Sequence, residues 1–450
     1  MSFELTADLL ASIEQRIRQG QTSQVVEDLH DVHPADIAEI LEELEHEDAV
    51  VLLDSLDKQL IADVIIELDE DERSKLLKDY SSKDIAEVLV ENLDSDDAAD
   101  IINELPEEKK REVLRNVEDE EHARQIASLL THAENTAGAL MATELVKVRE
   151  SWTVTQCVRE MRRQAEEVEQ VHAVYVVDDA DVLLGSLSLK KLLTIQNKTP
   201  IREIYDRKMH AVITTTPAEE VAQLMQKYDL YSLPVTDGLG RLLGRITVDD
   251  VVDVITEEAE KDYQMASGLT DEVEDSDSLL KVTRIRLPWL VVGLVGGLAV
   301  ASIVGLNEER ISAIPQLAFF IPLIAAMGGN VGVQSSAIVV KALANKSFGA
   351  DSAKRLSKEF SVGMINGLLL AVLMFGLGSI IGYDTEILAT VALSLLAVIV
   401  FASLFGTFVP MMLEKLKIDP AVATGPFITT SNDVIALFIY FYIGRLIIGG

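Results

Sequence analysis

The stretch GPFITTSNDVIALFIYFYIG, residues 425–444, is apolar or small almost throughout, yet it carries Asp433. A helix of about 20 such residues crosses the ~30 Å hydrocarbon layer of a bilayer. An ionised group at that depth costs at least about 2.5 kcal/mol, and as a rule it faces a cavity, a partner or an ion. The segment reads as a membrane span, and Asp433 as a contact on an ion pathway.

Four more apolar runs precede it, at residues 287–306, 314–343, 360–381 and 387–413, and the last extends over 423–448. Five spans place Lys281, Arg284, Arg286, Lys341, Lys346, Lys354, Arg355, Lys358, Lys415 and Lys417 on one side, against Arg310 and Arg445 on the other. Basic loops stay in the cytoplasm, so the N-terminal portion is expected inside the cell membrane and the C-terminus outside. An odd number of spans suggests that the working unit is a twofold oligomer. The second run contains MGGNVGVQSS, residues 327–336, which brings two glycines, Asn330 and Gln334 to mid-span depth. Irregular or polar backbone there is tolerated only where it lines protein or water. Glu359 opens the third span beside Lys358, and Asp419 precedes Pro420 at the entrance to the fifth. Carboxylates, amide oxygens and backbone carbonyls suit a hard cation rather than a soft metal, and Mg²⁺ keeps most of its water while taking few carboxylates. Spacing alone leaves Ca²⁺, Mn²⁺ and Co²⁺ open.

The net charge of −35 is unevenly placed. From Lys281 onward twelve Lys and Arg meet nine Asp and Glu. The other 27 basic and 65 acidic residues all come earlier, so the first 280 residues carry about −38. Such acidity argues against nucleic-acid and anionic-lipid partners and favours cations. Cys157 is alone, which excludes an intrachain disulfide or a Cys-based metal site. The N-terminal MSFELTADLL lacks the basic and apolar regions of a secretory signal. There is no P-loop and no nucleophile or metal motif of a hydrolase, so an enzyme is not expected.

Two repeats organise the acidic portion. IAEILEEL from Ile37, IADVIIEL from Ile61 and IAEVLVENL from Ile85 recur every 24 residues, each followed by an acidic turn and a second apolar-periodic segment. Short helix pairs at fixed period stack into a solenoid. Further on, AVYVVDDADVLLGSLSLKKLL from Ala173 aligns without gaps on SLPVTDGLGRLLGRITVDDVV from Ser232. This repeat resembles tandem cystathionine-β-synthase (CBS) domains, sensor modules that often bind adenine nucleotides. A Ser/Thr-x-x-Asp at the second helix commonly holds a ribose in those domains. Thr247 and Asp250 supply it in the second unit, which makes ATP a candidate ligand, whereas the first unit has Ser188 and Lys191.

Acidic solenoid, CBS pair, acidic connecting helix and five spans with GGNVGVQ and DPAVATGPFITTSNDV, in that order, resemble the MgtE family of magnesium channels along essentially the whole chain. The resemblance implies a multidomain membrane protein: an acidic all-α N-terminal domain at 1–132, an α/β CBS pair at 133–198 and 199–256, a connecting helix at 257–284, and a five-helix transmembrane domain at 285–450. It implies a homodimer with the pore between subunits and Asp433 holding hydrated Mg²⁺. Asn330, Gly329 and Gln334 fall in the matching pore-lining segment, and Glu359 and Asp419 on acidic positions near its cytoplasmic mouth. Val333 fills a place that can be Asn in relatives.

The family also senses Mg²⁺ through acids between its cytoplasmic domains. Asp96 and Asp100, four apart on one helix face, are the candidates in the solenoid. Glu219, Asp229, Asp250, Asp253, Glu258 and Asp262 are those from the second CBS unit to the connecting helix; Pro217 and Lys261 stand where relatives can carry acids. The expected function is Mg²⁺ influx, closed when cytoplasmic Mg²⁺ bridges these acids. The alternatives are transport of another divalent cation such as Co²⁺ or Mn²⁺, or a membrane-tethered metal or nucleotide sensor.

Overall fold

The 24-residue period has a direct structural counterpart in the computed structural model. Equivalent positions Ile37, Ile61 and Ile85 are buried, as are Ala38, Ala62 and Ala86, and Leu41, Ile65 and Leu89. Apolar residues one, three and four positions apart cover one face of a short helix, and neighbouring units must share that face to bury it. The first two repeats are the helices Pro34–Glu43 and Lys58–Glu67. His33 caps the first, its Nδ1 accepting from the Ala35 N–H at 3.2 Å, and Asp57 caps the second. The third repeat differs. After a Ser81–Asp84 capping box the chain makes a wide π turn over Ile85–Leu89, and the Asn92 amide donates to the carbonyls of Glu87 and Val88.

The structure describes residues 5–448 except 166–167, 169, 270–272, 274–277, 345–351 and 424. Lys346, used above to orient the spans, lies outside them. The chain forms two units, residues 1–256 and 257–450.

In the first unit the helices lead into two three-stranded sheets. One has the order β1 (Val146–Arg149), β2 (Val174–Val177), β3 (Leu183–Leu187), and the other β4 (Val212–Ile213), β5 (Ser232–Thr236), β6 (Leu242–Thr247). In each, the first pair is parallel and the second antiparallel. The register slips at Val176/Val177 and at Val235/Thr236, equivalent positions of the aligned repeat. The aspartates of the repeated turn explain themselves locally. Asp178 Oδ1 accepts from Ala180 and Val182 N–H, and Asp237 Oδ1 from Leu239 and Arg241 N–H. These are Asx-type turn contacts.

The two halves are stitched by Tyr175 and Ser232, hydroxyls 2.8 Å apart, and by Leu183 N–H donating to Gly240 O. The segment that enters the pair does not join the first sheet. Residues 137–142 run along the second: Ala137 and Gly138 N–H donate to Thr216 and Thr214 O, and Ala142 exchanges both backbone bonds with Arg245. This crossing carries Thr143 and Glu144 back to the N-terminal helices.

Among its described residues the second unit holds five helices long and apolar enough to span a membrane: span 1 (Leu279–Leu306), span 2 (Ile321–Ala344), span 3 (Ser352–Ile381), span 4 (Thr385–Lys415) and span 5 (Pro426–Ile447). Span 1 starts eight residues before the apolar run, and span 3 begins among basic residues. Span 4 is the most enclosed of the five. Ser403 packs against Gly363, and Leu388 against Gly378, so the small residues of span 3 let span 4 approach closely. MGGNVGVQSS is uninterrupted α-helix, not irregular backbone. Its glycines serve helix contact.

Candidate cation sites

In the first unit the helix Ser95–Asn103 begins with three acids in four residues, Asp94, Asp96 and Asp97. Ser95 between them is fully buried. Its Oγ lies 2.8 Å from Glu144 Oε2 and 3.0 Å from Thr143 Oγ1, and it accepts from the Thr143 N–H at 2.9 Å. That contact draws Glu144 onto the acidic turn. Single carboxylate oxygens of Asp94, Asp96 and Glu144 come within 4.8 Å of one another. Arg245 is buried beside them. Its Nε donates to Glu144 O at 2.7 Å, and its Nη2 lies 3.7 Å from Asp94 Oδ2. A cleft of about 850 Å³ opens on this cluster, with Asp94, Glu144 and His122 in its wall.

The electrostatics show how poorly these charges are compensated. Asp96 is only 9% exposed and accepts one bond, from the Asp97 N–H. Burial, and then the charges of Asp97, Asp250, Asp94 and Glu144, push its carboxyl well above the usual range. Burial and Asp250 push Asp97 up to about 7. Asp250 is raised as well, chiefly by burial, although the Thr247 N–H and hydroxyl hold its Oδ2 at 2.8 and 2.7 Å and Arg245 works the other way. An all-carboxylate donor set, half-buried to buried and beside an open cleft, fits a hard divalent cation.

The structure brings Asp96 and Asp250 into one cluster. Asp100 is exposed, and its charge acts on Asp97. Thr247 and Asp250 close on each other at the start of the helix Val248–Ala266. In the first CBS unit Ser188 starts the helix Leu189–Thr194, and Lys191 Nζ donates to Ile204 O. Glu219 accepts from Gln223, one turn on. Asp229 ends the helix Ala218–Tyr228 with a left-handed φ of 51°. Asp253 is exposed one turn beyond Asp250. Glu258 pairs with Lys261 at 3.7 Å, and like Asp262 it belongs to the second unit. Sequence reasoning missed Asp94, Asp97 and Glu144. Asp94 and Asp97 stand in the acidic run DSDDAAD, residues 94–100, but Glu144 is 49 residues from Ser95 and carried no signal.

In the second unit, span 5 lies against the small-residue face of span 2. A Cβ at Gly329 would sit 3.6 Å from Asp433 Oδ1 and 3.1 Å from Thr429 Cγ2, so glycine lets the half-buried carboxylate lie against the helix backbone. Asn330 and Gln334, one turn apart, are exposed on the same helix. Two amides on an uncovered face at membrane depth require water or a second subunit. Glu359 is 7% exposed and sits between spans 2, 3 and 4, where the Ser335 and Ser403 hydroxyls donate to Oε2 at 3.4 and 3.3 Å. Asp419 is exposed and accepts from the Ala421 N–H, shaping the turn before span 5.

Comparison with known proteins bears on the chain as a whole. Residues 321–443 match the family profile of a divalent cation transporter, residues 32–135 that of the MgtE intracellular N domain, and residues 137–198 and 201–257 that of the CBS domain. The chain is 34% identical over 455 residues to the magnesium transporter MgtE of Thermus thermophilus, covering 98% of both chains. The chain belongs to the MgtE family. It is also 36% identical over 327 residues to the MgtE of Enterococcus faecalis, covering 72% of each. Among solved structures, the soluble part of a magnesium transporter matches 56% of this chain and 98% of its own, at 30% identity and a TM-score of 0.51. The cytosolic domain of the Mg²⁺ channel MgtE in complex with ATP matches 54% and 99%, at 36% identity and 0.51. MgtE membership makes the second unit a transport domain and the first its soluble partner.

Proposed function

We propose that this protein carries Mg²⁺ into the cell along the polar face of spans 2 and 5, and that cytoplasmic Mg²⁺ closes it by binding where the N-terminal helices meet the CBS pair. Asp433 would hold the hydrated ion, with Asn330, Gln334 and the Gly329 backbone lining its way. Two copies related by a twofold would oppose their Asp433 carboxylates and cover the exposed amides, which supports a homodimer. The basic loops support a cytoplasmic N-terminus, an outside C-terminus and the cell membrane as location. The activity is transport, and no enzymatic role is assigned.

The observation that carries the regulatory half is the buried acid cluster. Two like charges at most 4.8 Å apart repel by at least about 3.5 kcal/mol at an effective dielectric of 20. A bridging Mg²⁺ removes that repulsion and so favours the state in which the helices and CBS pair are closed together. Asp250 stands in the first turn of the helix Val248–Ala266, which leads along the chain towards span 1. Glu258 and Asp262 on its later turns are further candidates for the same ion-linked switch, and Glu219, Asp229 and Asp253 for outer contacts. Glu359, wrapped by serines, and Asp419 would set the field at the cytoplasmic mouth. ATP is proposed as a second ligand at Thr247 and Asp250, by likeness to the ATP-bound cytosolic domain.

Mg²⁺ influx into proteoliposomes, measured against cytoplasmic-side Mg²⁺, tests this reading. Asp96→Ala with Asp100→Ala should conduct as wild type but close only at higher Mg²⁺. Closure at the wild-type concentration contradicts it.

A further inference from the structure

The residue beside Asp433 has no role in the account so far. Asn432 is 1% exposed, and neither its Nδ2 nor its Oδ1 has a hydrogen-bond partner among the described residues. An amide buried without partners inside a membrane helix bundle is costly, and leucine would fill similar space without that cost. Its surroundings show what the side chain meets. A Cβ on Gly332 would collide with Asn432 Nδ2 and come within 2.9 Å of Ile428 Cγ2. From span 4, Gly406 approaches the Gly332 carbonyl so closely that a Cβ there would strike it. Three helices therefore cross at Gly332, and the Asn432 amide is the part of span 5 that enters the crossing. One helical turn away on span 2, Gly329 faces Asp433 Oδ1.

We propose that Asn432 is a positioning residue for Asp433: its amide, wedged against the Gly332 backbone, fixes the rotation of span 5 so that the neighbouring carboxylate lies over Gly329. This rests on the reading of Asp433 as the ion contact. Adjacent helix residues point about 100° apart, so a span locked at one is locked at the other. Asn432 itself, being enclosed, touches neither the ion nor its water.

The wedge makes a steric prediction that a mere packing role does not. Asn432→Ala and Gly332→Ala each loosen or displace the contact, and each should raise the half-saturating Mg²⁺ for influx about tenfold, the scale of lost outer contacts at metal sites, while lowering the preference for Mg²⁺ over Ca²⁺. Combined, the new methyl occupies the space the amide vacated, and half-saturation should return to within about threefold of wild type, as coupled contacting sites allow. Asp433→Ala in the same assay is the reference. If it abolishes influx while Asn432→Ala is silent, or if the double variant is no better than Asn432→Ala, the wedge is wrong. If Asp433→Ala conducts normally, the underlying reading fails instead. Should Gly332→Ala not fold, Asn432→Leu decides. It keeps the heavy-atom count and the branch at Cγ, so half-saturation stays near wild type if the wedge holds, and moves with Asn432→Ala if it does not.

Discussion

Asp97→Asn is expected to stabilise the cation-free protein. Burial and the facing Asp250 push the Asp97 carboxyl from an ordinary 3.8 up to about 7. The unfolded chain thus gives up this proton near pH 4 and the folded chain near pH 7. Across that window the folded state binds more protons, and stability falls as pH rises. About 3 pH units at ~1.36 kcal/mol each amount to about 4 kcal/mol, fully lost above pH 7. The isosteric amide carries no such penalty. At ~2–4 °C per kcal/mol for a domain of this size, the variant should melt roughly 8 °C or more above wild type at pH 8 in chelator. The gap should shrink to less than half at pH 5. It should also shrink in saturating Mg²⁺, because the ion neutralises the same repulsion in wild type. Intrinsic-fluorescence melting of the purified full-length chain reads all three conditions. Equal melting of both proteins at pH 8 without divalent ions would refute the idea that this cluster is held under charge repulsion.

Other expectations follow from the same geometry. Glu144→Gln keeps the Ser95 contact but removes a charge from the trio, so the Mg²⁺ needed for half-closure should rise about tenfold, read by flux against cytoplasmic-side Mg²⁺. Arg245→Met removes the cation 3.7 Å from Asp94; Mg²⁺ binding to the chain, followed by calorimetry, should tighten while the cation-free protein melts lower. Gly329→Val puts a branched side chain where even a Cβ stands 3.1 Å from Thr429, and Mg²⁺ influx should fall at least about tenfold, since overpacking displaces span 5. Tyr175→Phe deletes the hydroxyl contact between the two sheets and should cost about 1 kcal/mol, measured by chemical denaturation.

Periodic features were legible because they report burial. The 24-residue recurrence of Ile-Ala marks the same buried face three times, and the strand irregularities fall at positions that the CBS alignment pairs. The five apolar runs became five helices, and spans 1 and 3 each begin eight residues before their run because Lys and Arg side chains continue a helix beyond the hydrocarbon. Local chemistry was less visible. The π turn at Ile85–Leu89 arises where Asn92 captures two backbone carbonyls, and a repeat pattern does not encode that. GGN suggested broken backbone, yet inside a bundle its glycines are helical and serve close approach. The acid cluster hid for a different reason. Ser95 meets Glu144 only because residues 137–142 cross to the second sheet, and no spacing in the sequence announces that crossing. Asn432 was quoted within the deciding stretch but eclipsed by the charge beside it.

The central claim is that Mg²⁺ passes Asp433. The direct measurement is Mg²⁺ influx into liposomes carrying the full-length protein at low internal Mg²⁺, wild type beside Asp433→Ala, with both shown to be folded and of the same oligomeric state. The account predicts influx through wild type and none through the variant. Equal influx through both would return Asp433 to a structural role and contradict it.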